Sequence, residues 1–512
     1  MFNTLKILIR SLVLFTFFSF FSFYCYPQTV EGGEKPTVIQ LIKADIARNH
    51  RSGNYQLLIG NVILKHDSAF LYCDSAYMNK DRNDLEAFGK VHIIDSDTIN
   101  LYGKYLIYNG NTRLAEIHED VLLTDPTTTL RTDILFYDRA KKYAYYTTGA
   151  TINNSDKYLV SKVGYYYLDN KDFDFFTDVV ITNPDYTLIS DTVFYNCYTE
   201  ISRTFDKTTI FKENNTLYCE KGIYDSKANK SYLKTNVEIH YNEYIVFSDS
   251  AYYDEGIEYA EAYKDVIVID TINNVKTWSE YLEYNKIKEY AFISDNAVAR
   301  FVNETDTVFL LADTLYVEFI TQTEDIDKLY AYHNTKIYNV DYQALGDSLV
   351  YYNADSLARL FKNPALWADN NQITGDTIVF FIKDEVLEKI TALPNGFIIS
   401  KDSIGEYNQI KGKVVDLFFD DNQLSYVDVN GNTEIIFFLR EDDGTLIGPY
   451  FIISSDAKIF FTDNDISRLI NLTDPKSELI PEDKSSKEKE RLSGFKLRFD
   501  EIPKKPPKEK FY

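Results

Sequence analysis

Apolar and polar residues alternate over short runs along most of the chain. In the stretch from Ala69 to Asn79, for example, every second position is apolar on either side of Asp74. A period of two is the pattern of a β-strand with one buried face. Short runs of this kind, bounded by Gly, Asn and Asp, predict strands throughout the chain.

The alternation recurs with a period of about 29 residues. Eight-residue segments such as LYCDSAYM, LRTDILFY and LISDTVFY mark about fourteen copies, and each is followed by a looser strand with Gly, Asn or Asp at its turn. The fourth positions of the copies are Asp45, Asp74, Lys104, Asp133, Lys162, Asp191, Glu220, Asp249, Glu280, Asp313, Asp347, Asp376, Lys413 and Asp456. The sequence therefore predicts an all-β, elongated repeat fold in which each repeat is a pair of strands stacked on the next.

The apolar positions change parity in the middle of each segment. Leu71 and Cys73 lie two apart, whereas Ala76 and Met78 lie on the opposite parity after Asp74. A strand can keep both pairs on its inner side only if it bends or bulges between them. The column of acidic residues is therefore predicted to mark a corner.

The first residues are typical of an export signal. Lys6 and Arg10 precede an uncharged run rich in Phe and Leu from Ser11 to Tyr24, which is too short for a membrane-spanning helix. We expect a signal peptide over residues 1–28, with cleavage near Gln28.

The remainder is predicted to hold one repeat domain and a tail. The domain covers residues 29–476 and is most regular over 56–300, whereas the spacings lengthen over 301–476. Residues 477–512 are dominated by Lys, Glu, Ser and Pro, a composition that favours disorder.

The amino-acid composition favours strands and opposes binding to polyanions. The 42 Tyr and 35 Phe favour strands. The net charge of −24 opposes binding to nucleic acid or anionic membrane. Once a signal peptide is removed, Cys73, Cys197 and Cys219 remain, an odd and scattered set that is typical of buried thiols rather than a disulfide framework.

The repeat aligns two apolar columns. They consist of Leu71, Leu101, Leu130, Leu159, Leu188 and Leu217, and of Tyr108, Tyr137, Tyr166, Tyr195, Tyr224, Tyr253 and Tyr284. Either they line a groove for lipid tails or they form the packed ladder that every solenoid needs.

The acidic column can be explained by a structural role at the corners or by a chemical role. Carboxylates in register suggest calcium ligands or catalytic pairs, but Lys104 and Lys162 interrupt the column, and hydrogen bonding at the corners explains it as well. The histidines form no column, and the motifs HExxH, GxSxG and GxxxxGKS are absent from the sequence. We expect no metal, no cofactor and no catalytic residue.

Residues 60–108 resemble the OstA-like family of Bacteroidota, related to LptA and to the N-terminal domain of LptD. The matching elements are Gly60-Asn61-Val62, Cys73-Asp74-Ser75-Ala76, Ala87-Phe88-Gly89 and Asp97-Thr98. Weaker copies continue to about Ile459, although LptA is much shorter and LptD carries a membrane barrel whose strands do not follow here.

The resemblance implies a β-jellyroll or β-taco whose apolar interior carries the acyl chains of lipopolysaccharide across the periplasm, without enzymatic activity. Its implied partners are lipopolysaccharide and other transport proteins, or a second copy joined through terminal strand edges. The implied location is the periplasm, with the outer membrane as a further expected site of association. Two alternatives stay open, a structural or adhesive solenoid without lipid cargo and a carbohydrate-active β-helix enzyme with two carboxylates in a cleft.

Overall fold

A computed structural model describes residues 37–49, 55–96, 98–213, 215–302, 307–320, 325–383, 386–402, 404–420, 423–441, 444–462, 465–481, 485–486 and 490–506. Across these ranges the protein is nearly all β, with antiparallel pairing, two short 3-10 turns at Glu255–Ile257 and Phe499–Glu501, and no α-helix. The predicted fold class is confirmed. The expected signal peptide lies outside the described residues.

The chain divides into two compact units, residues 1–126 with 136–141, and residues 127–135 with 142–512. The first unit contains β1 (Gln40–Lys43), β2 (Ile46–Asn49), β3 (Gln56–His66), β4 (Ala69–Asn79), β5 (Asp84–Asp95), β6 (Ile99–Asn109) and β7 (Leu114–Thr124). Strand β8 (Thr128–Asp138) contributes to both.

The second unit holds the remaining strands. They are β9 (Tyr143–Tyr146), β10 (Ala150–Asn154), β11 (Lys157–Ser161), β12 (Val163–Tyr167), β13 (Asp172–Thr182), β14 (Thr187–Asn196), β15 (Ile201–Thr204), β16 (Thr208–Lys212), β17 (Asn215–Cys219), β18 (Lys221–Asp225), β19 (Lys230–Tyr241), β20 (Tyr244–Asp254), β21 (Tyr259–Asp270), β22 (Val275–Asn285), β23 (Tyr290–Val302), β24 (Thr307–Phe319), β25 (Ile326–Tyr338), β26 (Tyr342–Tyr352), β27 (Leu357–Phe361), β28 (Ala365–Ala368), β29 (Asn371–Thr374), β30 (Thr377–Lys383), β31 (Val386–Leu393), β32 (Gly396–Lys401), β33 (Tyr407–Gly412), β34 (Val414–Asp420), β35 (Gln423–Arg440), β36 (Leu446–Thr462), β37 (Asp465–Leu472) and β38 (Lys476–Leu479).

The long strands bend in the middle, as the change of parity predicts. In β4, Leu71 and Cys73 are buried before the bend, Asp74 is exposed at it, and Ala76 and Met78 are buried after it. The pairing of β4 with β5 slips its register at this point. We call the half on the Leu71 side limb A and the half on the Ala76 side limb B, and we use the same names for the equivalent halves of other strands.

A repeat thus supplies two neighbouring strands that lie side by side, each crossing from one limb to the other. Hairpin turns join successive strands at the tips of the limbs, and the pairing is antiparallel, as between β19 and β20. The inner faces of both limbs are apolar. The corner is therefore a fold line across the sheet.

At the fold line, most of the strands that lie opposite the acidic column carry two consecutive residues in the left-handed region. Examples are Thr235 and Asn236 (φ 65° and 53°) and Asp295 and Asn296 (φ 65° and 62°). The acidic column lies opposite these pairs, and Asn236 Nδ2 donates to Glu220 Oε1 at 2.7 Å. Asn and Asp tolerate this conformation better than other side chains.

The same contact recurs along the column. Asn61 donates to Asp45 at 2.8 Å, and Asn334 to Asp313 at 2.9 Å. Lys162, one of the three lysines in the column, pairs with Asp178 at 2.5 Å instead. The predicted corner role of the acidic column is confirmed.

Within the described residues, Cys73 and Cys219 are buried free thiols and Cys197 is half-buried. Burial raises the pKa of the Cys73 thiol to about 12 and that of the Cys219 thiol to about 11. Both thiols are therefore protonated at neutral pH and unreactive.

The segment predicted to be a disordered tail is ordered in its described part. Lys476–Leu479 form β38, and two buried glutamine side chains hold residues 490–498. Gln409 donates to the carbonyl of Glu490 at 2.7 Å and accepts from the amide of Leu492 at 2.8 Å.

Gln372 repeats this arrangement further along. It donates to the carbonyl of Lys496 at 2.8 Å and accepts from the amide of Arg498 at 2.7 Å. The guanidinium of Arg498 is buried against the Asn363 carbonyl at 3.0 Å. Composition missed this ordering because a few anchoring groups, not the average polarity, fix the segment.

Changing Asn236 to Val is expected to destabilise the protein by about 2 kcal/mol, because a β-branched side chain is strained in the left-handed region and the bond to Glu220 is lost. Asn236→Gly, which loses only the hydrogen bond, should cost about 0.5–1 kcal/mol. Urea unfolding followed by circular dichroism measures both. Equal midpoints for the two variants would contradict the strained-corner explanation.

Gln409→Leu is expected to release the C-terminal segment, because one side chain supplies two of the hydrogen bonds that hold it. Brief trypsin digestion should then cleave at Arg491 or Lys496 several-fold faster than in the unchanged protein. Gln423→Leu is the matched control, since Gln423 is exposed at the start of β35. The interpretation fails if both variants resist cleavage equally.

Candidate functional site

The inner faces of the second unit pack into one apolar core near the fold line. Its members include Ala312 and Leu315 on either side of Asp313, at 6% and 1% exposure, and Ala331 at 0%. Both limbs contribute to this cluster. The limbs are therefore in tight contact at the corner.

Towards the hairpin tips the same inner faces are only partly buried. Val246, Val268, Phe301, Ile337 and Tyr351 pack on the edge of the core but keep solvent-accessible surface. All five lie on the tip side of their limbs. The inner faces are thus less buried towards the mouth than at the corner, and we call this partly exposed apolar surface the trough.

The trough is closed over the earlier strands of the second unit. Lys157, at the tip of limb A, forms an ion pair with Glu200, at a tip of limb B, and Lys212 pairs with Glu255 in the same way. Tyr186 packs edge-on against Tyr224 across the mouth, with ring centroids 4.6 Å apart.

The ion pairs across the mouth are partly shielded from water. The side chain of Lys157 is 3% exposed. Burial alone would raise the pKa of Glu200, but the hydrogen bond and charge of Lys157 outweigh it and leave that pKa below its ordinary value. Glu200 therefore stays ionised at neutral pH, and its ion pair with Lys157 joins the two tips.

The first unit is closed by a buried polar cluster at its mouth. Arg139, on limb B, contacts Asp95, on limb A, through Nε to Oδ2 at 3.0 Å and Nη2 to Oδ1 at 3.3 Å. Tyr137 donates to Asp95 at 2.8 Å, and Arg139 donates to the Tyr108 hydroxyl at 2.9 Å. His66 shares a 2.6 Å hydrogen bond with the same hydroxyl.

This cluster keeps its charges. Burial by itself would raise the pKa of Asp95, but the hydrogen bonds and charge of Arg139, together with the Tyr137 hydroxyl, hold it below its usual range. Burial raises the pKa of Tyr137, and the Asp95 charge adds to that shift. The cluster is a latch between the limbs rather than a reactive site.

The predicted groove residues fall into two groups. Most are sealed in the core, at 7% exposure or less: Leu71, Leu101, Leu130, Leu159, Leu188, Tyr108, Tyr137, Tyr166 and Tyr195. Tyr224 is 9% exposed, and Leu217, Tyr253 and Tyr284 are half-buried. Burial of the column residues is thus less complete from Leu217 onward, and their contact with lipid stays a prediction.

Sequence reasoning missed the latch. His66 and Asp95 are 29 residues apart, so the repeat does align them, but nothing in the period pairs them with Arg139 on the other limb. Within the described residues, no group of His, Cys, Asp or Glu is arranged to hold a metal ion. Nor is any described helix long and apolar enough to cross a membrane.

Bent antiparallel strands around an apolar trough define an all-β repeat protein of the β-taco class. Residues 36–191 match the family described as OstA-like protein, and residues 282–386 match the family described as LptA/(LptD N-terminal domain) LPS transport protein. The chain thus carries domains of the OstA-like and LptA/LptD N-terminal families, which confirms the resemblance. The description of the second family names lipopolysaccharide transport.

Among solved structures, the chain is similar to LptH, the LptA homologous periplasmic component of the conserved lipopolysaccharide transport device from Pseudomonas aeruginosa. The identity is 12%, the alignment covers 22% of this chain and 79% of LptH, and the TM-score is 0.19. No curated protein matches the chain.

Replacing Arg139 with Met is expected to destabilise the protein by about 3–5 kcal/mol, because Asp95 is left buried without its partner. The native Asp95 has a lowered pKa, so its contribution is present above the unfolded value of about 3.9 and is lost as the pH falls through the folded value. The deficit of Arg139→Met should therefore shrink below about pH 4. Thermal unfolding across pH measures it.

The double variant Asp95→Asn, Arg139→Met is the control, since it removes both charges while the amide oxygen introduced in place of the Asp95 carboxylate can still accept from Tyr137. It should recover most of the lost stability. A double variant as unstable as the single one would show that the cluster acts through packing, not charge.

Proposed function

We propose that this chain is a non-enzymatic periplasmic carrier or bridge that holds the acyl chains of lipopolysaccharide in its trough during transport to the outer membrane. The observation that carries the proposal is the set of partly exposed apolar side chains along the trough, including Val246, Val268 and Phe301. The matched families agree with this cargo.

The chemistry of the lining suits acyl chains. Each methylene moved from water into an apolar environment gains about 0.8 kcal/mol, so a chain lying along several strands gains enough for stable binding. The partly buried side chains of the lining are Val, Ile, Leu, Phe and Tyr. Such a surface suits binding of an acyl chain.

Cargo contact is proposed to begin where the mouth opens. The sealed positions, such as Leu130 and Leu188 at 0% exposure, have no surface to offer in this conformation. Leu217 and Tyr253 are half-buried and therefore have exposed surface that a lipid chain can contact. Of the residues in the two columns, we therefore assign lipid contact first to these half-buried ones, and we add Val246, Val268 and Phe301.

The closed strands agree with one feature of the alternative hypothesis, a structural solenoid without lipid cargo. A closed mouth, as at the pairs Lys157–Glu200 and Lys212–Glu255, is what a purely structural solenoid would have throughout, but the partly exposed inner face beyond Glu255 has no purpose in that model. We assign the closed part a supporting role and the open part the binding role.

The terminal strands are proposed to join partners. All four residues of β2 are exposed, and its backbone pairs with β3. At the other end, the four residues of β38 are exposed too. Pairing of such edges with another transport protein or a second copy would extend the sheet.

A photoreactive phenylalanine analogue at Tyr253 or Phe301 is expected to form lipopolysaccharide adducts in cells, because both side chains line the open trough. The same analogue at Leu130 should give adducts several-fold less often, since that site is sealed. Tyr232, 45% exposed on the outer face of limb B, is the outward control. Immunoblotting detects the adducts. Equal labelling at Tyr232, or none at the trough in an exported protein, would reject the proposal.

A further inference from the structure

The hairpin tips beside the open trough carry exposed aliphatic side chains. Between residues 254 and 342, each turn that the structure describes presents one; the turn at 303–306 lies outside the described residues. The side chains and their exposed fractions are Ile257 (51%), Ile272 (70%), Ile287 (64%), Ile320 (39%) and Val340 (73%). Ile257, Ile287 and Ile320 lie on limb B, and Ile272 and Val340 on limb A. Both lips of the trough are thus apolar.

Side-chain hydrogen bonds fix several of the turns that carry these aliphatic residues. Asp270 accepts from the amides of Ile272 and Asn273 at 3.0 and 2.9 Å, which fixes the turn. Asn285 accepts from the amide of Lys288 at 2.8 Å, and Asn339 accepts from that of Asp341 at 2.8 Å. Hydrogen bonds of this kind hold a turn in one conformation.

Turns beside the closed part of the protein differ. Those at 80–83, 110–113 and 139–142 are made almost wholly of Lys, Arg, Asp, Asn, Gly and Thr and expose no aliphatic side chain. Single exposed apolar residues are common on any protein. A succession of exposed aliphatic side chains along both lips is uncommon. Here the lining residues Val268 and Phe301 are partly exposed as well.

The pattern fits a lipid surface better than a protein partner. Successive tips on one limb are two strands, or about 10 Å, apart. Each apolar residue stands alone between polar neighbours, as Ile272 does between Thr271 and Asn273, so no continuous patch forms for a protein to cover. A single aliphatic side chain can enter the boundary of an acyl layer while its polar neighbours stay among the headgroups.

The negative charge of the turns favours lipids with neutral headgroups. The turns around these tips carry Glu255, Glu258, Asp270, Glu289 and Asp341 and fewer basic residues, and the whole chain has a net charge of −24. Anionic headgroups would be repelled.

We propose that the two lips of the trough between residues 254 and 342 dock on a lipid surface of neutral headgroups, with the aliphatic tips inserted at its boundary. The trough then faces the acyl layer, and a lipid chain can pass between the two sideways without crossing water. This inference rests on the proposed function and adds the surface from which cargo enters or leaves.

Flotation with phosphatidylcholine vesicles tests the docking. The full-length protein should float with the vesicles, and the variant Ile257→Ser, Ile272→Ser, Ile287→Ser should lose binding by about tenfold or more, because insertion depends on buried apolar area. The matched control, Ile189→Ser, Ile223→Ser, Ile453→Ser, removes three exposed isoleucines from strands elsewhere. It should bind within about twofold of the unchanged protein.

Three outcomes would overturn the proposal: no flotation of the unchanged protein, equal loss in the control, or stronger binding to vesicles containing phosphatidylglycerol. Thermal melting of each variant verifies folding. A fluorescent fatty acid in vesicle-free buffer tests the trough separately, and the tip variant should bind it normally. Flotation without fatty-acid binding would reject the proposed function and leave the docking in place.

Discussion

The structure depends on the bend in the middle of each strand. Apolar residues stand on opposite parities before and after the acidic column, so a straight strand would bury one half and expose the other. A bulge with two left-handed residues turns both halves inward, as at Thr235 and Asn236. Repeated from strand to strand, it becomes a fold line, and within each unit two limbs face each other.

Away from the fold line, the distance between the limbs depends on which side chains meet at the hairpin tips. Where a basic side chain on one limb reaches an acidic one on the other, as Arg139 reaches Asp95 and Lys157 reaches Glu200, the mouth closes. Removing charges from water is costly, and only close pairing offsets the cost. These pairs therefore act as latches, and the closed segments gain a dry core.

Beyond Glu255 the interior is partly open and the turns become aliphatic. Two features that would be liabilities in a closed solenoid, an incompletely buried inner face and exposed isoleucines at the tips, occur together in the same strands. Exposed apolar surface is retained where something apolar covers it. An acyl chain inside the trough and a lipid layer at its lips are the occupants that we infer.

The sequence by itself determined the strands, the repeat, the acidic fold line and the membership of the Leu and Tyr columns, because these follow from local alternation and a fixed period. It also led to the family. Only the tertiary structure decided which columns are sealed, since the latches join residues such as Asp95 and Arg139 on different limbs, 44 positions apart. The C-terminal segment is similar: Arg498 is ordered by Gln372, 126 residues earlier. Alternation specifies which face of a strand turns inward, but the separation of two limbs is a property of side chains that meet only once the chain has folded.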